Sequence, residues 1–308
     1  MDKSSKLYND YSSWIRDTFG ERVQKISINA GFTCPNRDGS KGTGGCTYCD
    51  NSSFNPAYCS PNKRITEQLE EGISFFNKKY PAQKYFAYFQ AYSNTYENIS
   101  VIKNLFEEAL SYPGIIGLSV ATRPDCLPDE IIYYLSELNK KTHLTVEIGA
   151  ESTLNKTLVR INRGHSWEDS ITAINKLADS QINTTVHLIL GLPGESIDDI
   201  LNHAIEISKF PIKFLKLHQM QILKNTAILD DFVNNSNDFL SFTVDEYLSL
   251  CISFLELLSP DIIIERFTSE SRLNSVIAPN WGGVKNFEIT EKVVKKMKEL
   301  NTWQGRYN

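Results

Sequence analysis

The sequence predicts an α/β fold around a parallel sheet, and three observations carry that prediction. Short β-rich runs alternate with amphipathic stretches six times, polar residues gather just after the β-rich runs, and the rhythm changes near residue 230. Strands that alternate with helices imply parallel pairing, because each return crossover must be long enough to hold a helix. Six such units make either a doubly wound sheet or an incomplete barrel, and hydrophobic pattern alone does not separate them.

In chain order the strands are expected at 22–29, 84–90, 115–121, 143–150, 182–190 and 214–221. Helices fall between them at 66–79, 98–111, 128–139, 167–180 and 196–208, the first showing Leu69, Ile73 and Phe76 on one face. Residues 1–230, with an N-terminal helix and a glycine-rich loop at 30–64, are read as the core. Residues 231–308 are read as an extension packed on it: an asparagine-rich loop at 234–237, a helix at 244–258, a strand at 262–267 and a helix at 288–300. Ile289, Val293, Met297 and Leu300 make the apolar stripe of the last helix, so its lysines 292, 295, 296 and 298 read as a solvated face. Cys251 falls on an apolar helix and reads as core.

At 308 residues, 41% hydrophobic and 22% charged, the composition is that of an ordinary packed globule. The N-terminus lacks a basic-then-apolar leader, and no run approaches the ~18 apolar residues of a membrane helix. A cytoplasmic protein with no membrane partner is expected. Six cysteines in a reducing compartment favour metal ligands or buried thiols over disulfides. The net charge of −5 argues against tight nonspecific nucleic-acid binding, while leaving room for a local basic groove.

Cys34, Cys46 and Cys49 crowd into one loop, with Tyr48 between the last two. Thiolates at that density favour a soft metal centre. Three protein ligands on a four-iron cluster would leave one iron open to a substrate or cofactor. The eleven residues between Cys34 and Cys46, PNRDGSKGTGG, let the backbone turn tightly and offer amides to cluster sulfides. A zinc knuckle with Cys59 as fourth ligand is the alternative.

The segment CPNRDGSKGTGGCTYC after the first strand resembles the radical S-adenosylmethionine enzymes of the YhcC/YtqA-type group. The radical half of the Elongator catalytic subunit is similar too. The likeness runs on through YFQAYSNTY (88–96), ATRPD (121–125), EIGAES (147–152), INRGH (161–165), HLILGLPGES (187–196) and APNW (278–281). It implies a partial (β/α)6 TIM-like barrel with a C-terminal α/β extension. It departs from the common C-x3-C-x2-C spacing, and QAYSNTY stands where a GGE-type turn is usual.

The resemblance implies that Cys34, Cys46 and Cys49 hold a [4Fe-4S] cluster. An electron from that cluster, delivered by a donor such as flavodoxin or ferredoxin, would cleave S-adenosylmethionine to a 5′-deoxyadenosyl radical. Tyr48 would pack on adenine, Arg163 would meet the cofactor carboxylate, and Glu151 and Ser152 would face the cofactor. Gln90, Thr122, His187 and Gly191 join that cofactor-binding set. A loop aromatic filling core, a helix-end arginine, a helix-capping carboxylate and a satisfied core histidine are the bland readings of Tyr48, Arg163, Glu151 and His187. Arg123, His218, Gln221 and Lys224 are the expected substrate-facing residues, although Arg123 could equally pair with Asp125. Arg37, Asp38 and Lys41 are expected beside the reactive end of the barrel; Cys59 and Cys126 have no assigned partner.

For the substrate, the likeness suggests the side chain of a wobble uridine in transfer RNA. Tyr88, Phe89, Tyr92 and Tyr96 could stack an extruded base. A small metabolite or peptide substrate, or a noncatalytic zinc-stabilised RNA-binding module, are the rivals.

Overall fold

The structure is a computed structural model that describes residues 6–53, 55–78, 80 and 83–308. Six strands fall where the periodicity puts them: β1 (Val23–Ile28), β2 (Lys84–Phe89), β3 (Ile115–Thr122), β4 (His143–Glu151), β5 (Asn183–Leu190) and β6 (Phe214–Gln219). They pair in chain order and all run parallel. Between them lie α2 (Ile65–Asn77), α3 (Ile99–Leu110), α4 (Asp129–Asn139), α5 (Asn155–Arg160), α6 (Trp167–Asp179) and α7 (Ile197–Ile207). The expected helix at 66–79 ends at a residue outside those described. Within it Leu69 is fully buried, and Ile73 and Phe76 pack against the core.

Helix ends carry the local chemistry that fixes them. Asp10 caps α1 (Tyr11–Phe19) by accepting from the Ser13 amide, and Gly20 closes it at φ 74°. Ser166 with Asp169, and Ser196 with Asp199, form reciprocal capping boxes on α6 and α7. The resulting curved parallel sheet carries its helices outside, as in a partial TIM barrel.

The strand expected in the extension enters that same sheet. β8 (Ile263–Arg266) pairs parallel with β6, so the sheet has seven strands rather than six. A strand with both faces covered reads as core wherever it falls in the chain, so the sequence did not reveal its partner. Asp10 bridges Ile264 in parallel, and the Gln304 side chain donates to the Ser259 and Ile262 carbonyls at 2.7 and 2.8 Å. Asp10 and Gln304 therefore seal the far edge of the sheet. β7 (Ile222–Leu223) pairs antiparallel with β9 (Val276–Ala278) beyond the sheet, α8 (Ala227–Asn234) follows β7, and α9 (Val244–Leu257) packs on α7. In α10 (Asn286–Glu299), Ile289, Val293 and Met297 are fully buried, while Leu300 is 55% exposed because it lies past the last helical turn.

Candidate active site

An open cavity of about 200 Å³ lies at the carboxyl edge of the sheet. Cys34, Cys46 and Cys49 line it together with Tyr48, Gln90, Thr122, Arg123, Glu151, Arg163, His187, His218 and Gln221. Parallel α/β folds build sites at this edge because the loops there diverge and remain free to vary.

The eleven-residue loop has a defined path. It leaves Cys34, doubles back through an Asp38–Thr43 bridge, and closes where the Gly45 amide donates to the Asn36 carbonyl at 2.8 Å. At Gly45 the backbone φ is 81°, a left-handed conformation that other residues adopt only under strain, so glycine suits the turn there. Asn36 donates to the Asn162 carbonyl at 2.5 Å, and Asn162 donates back to the Gly45 carbonyl at 2.8 Å. That exchange fastens the loop to the turn after α5. The long gap is thus a small hairpin that returns Cys46 to the same cavity as Cys34.

Hydrogen-bond donors already face the Cys46 sulfur. Arg163 Nη1 lies 3.4 Å and Asn36 Nδ2 3.7 Å from Cys46 Sγ, and Arg37 Nη2 donates to the Cys49 carbonyl at 2.9 Å. Burial and the adjacent Cys46 sulfur raise the Cys49 thiol, so a cationic metal centre is what would hold it ionised. Among the described residues no three His, Cys, Asp or Glu side chains converge on a single-ion position. Cys59, the fourth ligand a zinc knuckle would need, is turned to the Ser27 carbonyl and does not line the cavity, so three thiols remain, as a cluster with one open iron requires.

Cys59 stands apart from them. Its thiol donates to the Ser27 carbonyl at 3.0 Å, and burial pushes it up to about 12. Cys126 is buried and likewise pushed up to about 12. Cys251 is fully buried in α9, as expected of core.

Arg163 is no surface arginine. It is 6% exposed, donates to the Gly149 carbonyl at 2.5 Å, and lies 3.5 Å from Glu151. Glu151 has φ 70°, at a register shift between β4 and β5. A left-handed glutamate at a strand end costs backbone energy, and such strain gathers at functional sites. Tyr48 sits beside this pair, its hydroxyl held well above the ordinary tyrosine range by burial and then by Glu151.

Three expected residues stand away from the lining. Ser152 is fully buried and donates to Glu195 at 2.6 Å, with His203 3.3 Å from the same carboxylate, which ties β4 to the start of α7. Gly191 has φ 91°, and a Cβ there would stand 3.1 Å from the Phe242 ring, so its freedom serves packing. Lys224 is exposed beyond β7, where its backbone amide donates to the Ser275 carbonyl at 2.8 Å.

Arg123 reaches the cavity but is spoken for. It grips Asp125 through two bonds of 2.9 and 3.0 Å and donates to the Arg163 carbonyl at 2.8 Å. Lys41 meets Asp125 from the cysteine loop at 2.6 Å, while Asp38 accepts from Ser40 within its own turn. Thr122 shares its hydroxyl with Thr95 at 2.6 Å, and Gln90 accepts from Ser27 at 2.9 Å. Of the four aromatics, Tyr88 and Tyr92 line the cavity. Phe89 is buried against Phe106, and the Tyr96 hydroxyl donates to Ser40 at 2.7 Å.

The inner floor is the feature that sequence reading missed. Glu147, fully buried, accepts from Lys25 at 2.8 Å, Lys216 at 2.5 Å, Tyr88 at 2.8 Å and Ser119 at 2.6 Å, and meets His187 Nε2 at 2.9 Å. Glu265 of β8 joins from the far side, 2.6 Å from Lys25 and 3.2 Å from Lys216. The two lysines hold Glu147 well below the carboxylate range, although burial works the other way. For Lys216 burial wins, and it is pushed down to about 8. Charged residues at alternate positions of otherwise apolar strands were the available signal.

Two family descriptions match the chain: the radical SAM superfamily over residues 33–207, and the radical SAM C-terminal domain over residues 212–299. The uncharacterized protein YtqA of Bacillus subtilis is 32% identical over 304 residues, covering 99% of this chain and 94% of that one. The protein YhcC of Escherichia coli is 31% identical, covering 90% and 88%. A tRNA uridine(34) acetyltransferase of Methanocaldococcus infernus is 27% identical over 190 residues, covering 60% of this chain and 33% of its own length. Among solved structures, Elp3 of Methanocaldococcus infernus superposes with a TM-score of 0.68 at 18% identity, covering 92% of this chain and 64% of that chain, just under two thirds of it. At that identity the likeness shows a shared fold, and this chain spans only part of the longer one. No helix among the described residues is long and apolar enough to cross a membrane. With a superfamily match over more than half its length and three cysteine thiols around one cavity, the chain belongs to the radical S-adenosylmethionine enzymes, which work with a [4Fe-4S] cluster and S-adenosylmethionine.

Proposed function

We propose that Cys34, Cys46 and Cys49 hold the cluster and that the enzyme remodels the side chain of a wobble uridine in transfer RNA. The observation that carries the cluster assignment is that these three thiols and Arg163 line one cavity, with Arg163 and Asn36 facing the Cys46 sulfur as donors. Bound there, the cluster and S-adenosylmethionine supply a carbon-centred radical able to take hydrogen from an unactivated position. Arg163 offers a buried guanidinium to the methionine carboxylate, and Tyr48 and Glu151 flank it. Gln90, Thr122 and His187 complete the cofactor side. The floor orients the substrate.

The wobble-uridine reading is supported by the relationship to the tRNA uridine(34) acetyltransferase over 190 residues. It implies a cytoplasmic enzyme served by a flavodoxin- or ferredoxin-type donor. The net charge of −5 favours the second reading, a small metabolite or peptide. Transfer-RNA nucleoside profiles from cells with and without the gene decide between them. Loss or accumulation of a wobble nucleoside is expected, and an unchanged profile removes the RNA substrate.

A further inference from the structure

The charges of the cavity floor do not balance. Glu147 and Glu265 are matched by Lys25 and Lys216, two against two. His187 and His218 add no charge, because burial holds both below the ordinary histidine range. At the thiol end, Arg163 meets Cys46, the Gly149 carbonyl and Glu151 and would serve the cofactor, Arg37 donates to the Cys49 carbonyl, and Arg123 pairs with Asp125. Two cations of the lining meet no carboxylate: Arg37, which sits in the cysteine loop beside the thiols, and Arg266, which stands on β8 next to the floor.

Arg266 ends β8 and lines the cavity, half-buried. Its Nε donates to His218 Nε2 at 3.0 Å, and Nη2 faces the same nitrogen. Among the described residues no carboxylate lies within ion-pair distance of it, and Nη1 has no hydrogen-bond partner. The ring nitrogen, an acceptor in the neutral imidazole, fixes the plane of the guanidinium and leaves part of its fork facing the cavity. Ser269 and Gln221 line the cavity beside it.

We propose that Arg266, held by His218, is a substrate subsite for a carboxylate. A guanidinium fork matches a carboxylate in shape, and a half-buried cation without a counterion gains most from one. The substrate would then be an anionic molecule, or a nucleoside whose modified side chain ends in a carboxylate. The nucleoside form rests on the wobble-uridine reading; the carboxylate subsite itself does not.

The test uses cluster-loaded enzyme with S-adenosylmethionine and two probes alike in size, 5-carboxymethyluridine and its neutral amide, 5-carbamoylmethyluridine. Wild type is expected to bind the acid about tenfold or more tightly than the amide. Arg266→Gln should abolish that preference at unchanged melting temperature and unchanged S-adenosylmethionine affinity. Equal binding of the two probes by wild type overturns the proposal, as does a variant that loses S-adenosylmethionine instead. In a parallel arm acetate is titrated while the arginine side-chain nitrogen resonances are followed. A shift of the Arg266 signal without nucleoside binding upholds the subsite and sinks the RNA reading; no shift and no preference overturns the subsite. Should Arg266→Gln fail to fold, Arg266→Lys and the wild-type preference carry the same test.

Discussion

At the scale of single residues, the site divides into a thiol end and a charged floor, and each makes its own prediction. Cys34→Ala, Cys46→Ala and Cys49→Ala should each purify with a large loss of iron from the about four iron and four sulfide per chain of wild type. Cys59→Ala should keep its iron, since that thiol is turned to the Ser27 carbonyl; equal iron loss in Cys59→Ala would revive a four-thiolate site. In the floor, Glu147→Gln removes the shared partner of two buried lysines. A stranded buried charge typically costs about 3–5 kcal/mol, so urea denaturation should show a loss of that order, against a near-neutral result if the pairs were solvated. The cysteines were legible because their spacing is local. Arg266 and Glu265 were not, because two adjacent charges in a short strand look the same whether they face a cavity or solvent.

At the scale of elements, the seal of α1 against the sheet has a pH dependence that can be read from one side chain. His143 opens β4, stacks on Phe86 at 5.0 Å, and meets Phe19 and Trp14 edge-on or tilted at 5.2 and 5.6 Å. Burial, with Lys25 adding to it, pushes its imidazole down to about 4. The unfolded chain then binds the extra proton between about 6.5 and 4 while the folded one does not. The stability His143 contributes is therefore complete above about pH 6.5 and is lost as pH falls toward 4, up to roughly 3 kcal/mol. His143→Phe should flatten that part of the stability profile in chemical denaturation followed from pH 7 to pH 4. A variant whose profile parallels wild type would place His143 in water. The helix and strand pattern of these elements was legible from periodicity, since each has one buried face of fixed period. Short α5, α8, β7 and β9 were not, for a segment of two to eight residues completes too few periods to stand out.

At the scale of the whole molecule, the extension and the barrel are joined through the sheet itself. We expect residues 1–230 expressed alone to lack a cooperative melt, because β6 would lose its β8 neighbour and Lys25 and Lys216 would lose Glu265. The full chain should unfold in one transition by calorimetry, and a stably folded 1–230 fragment would show that the barrel is independent of its extension. The amino-acid sequence by itself determined the parallel α/β rhythm, the carboxyl edge as the site and the three cysteines, because periodicity, strand-end polarity and close spacing are properties of neighbouring residues. Only the tertiary structure decided that the extension supplies the seventh strand, that Ser152, Gly191 and Lys224 stand outside the cavity lining, that Glu147 meets Lys216, and that Arg266 meets His218. Those outcomes depend on pairings between residues more than forty positions apart, which the curvature of a closed-up parallel sheet brings together and no local pattern records.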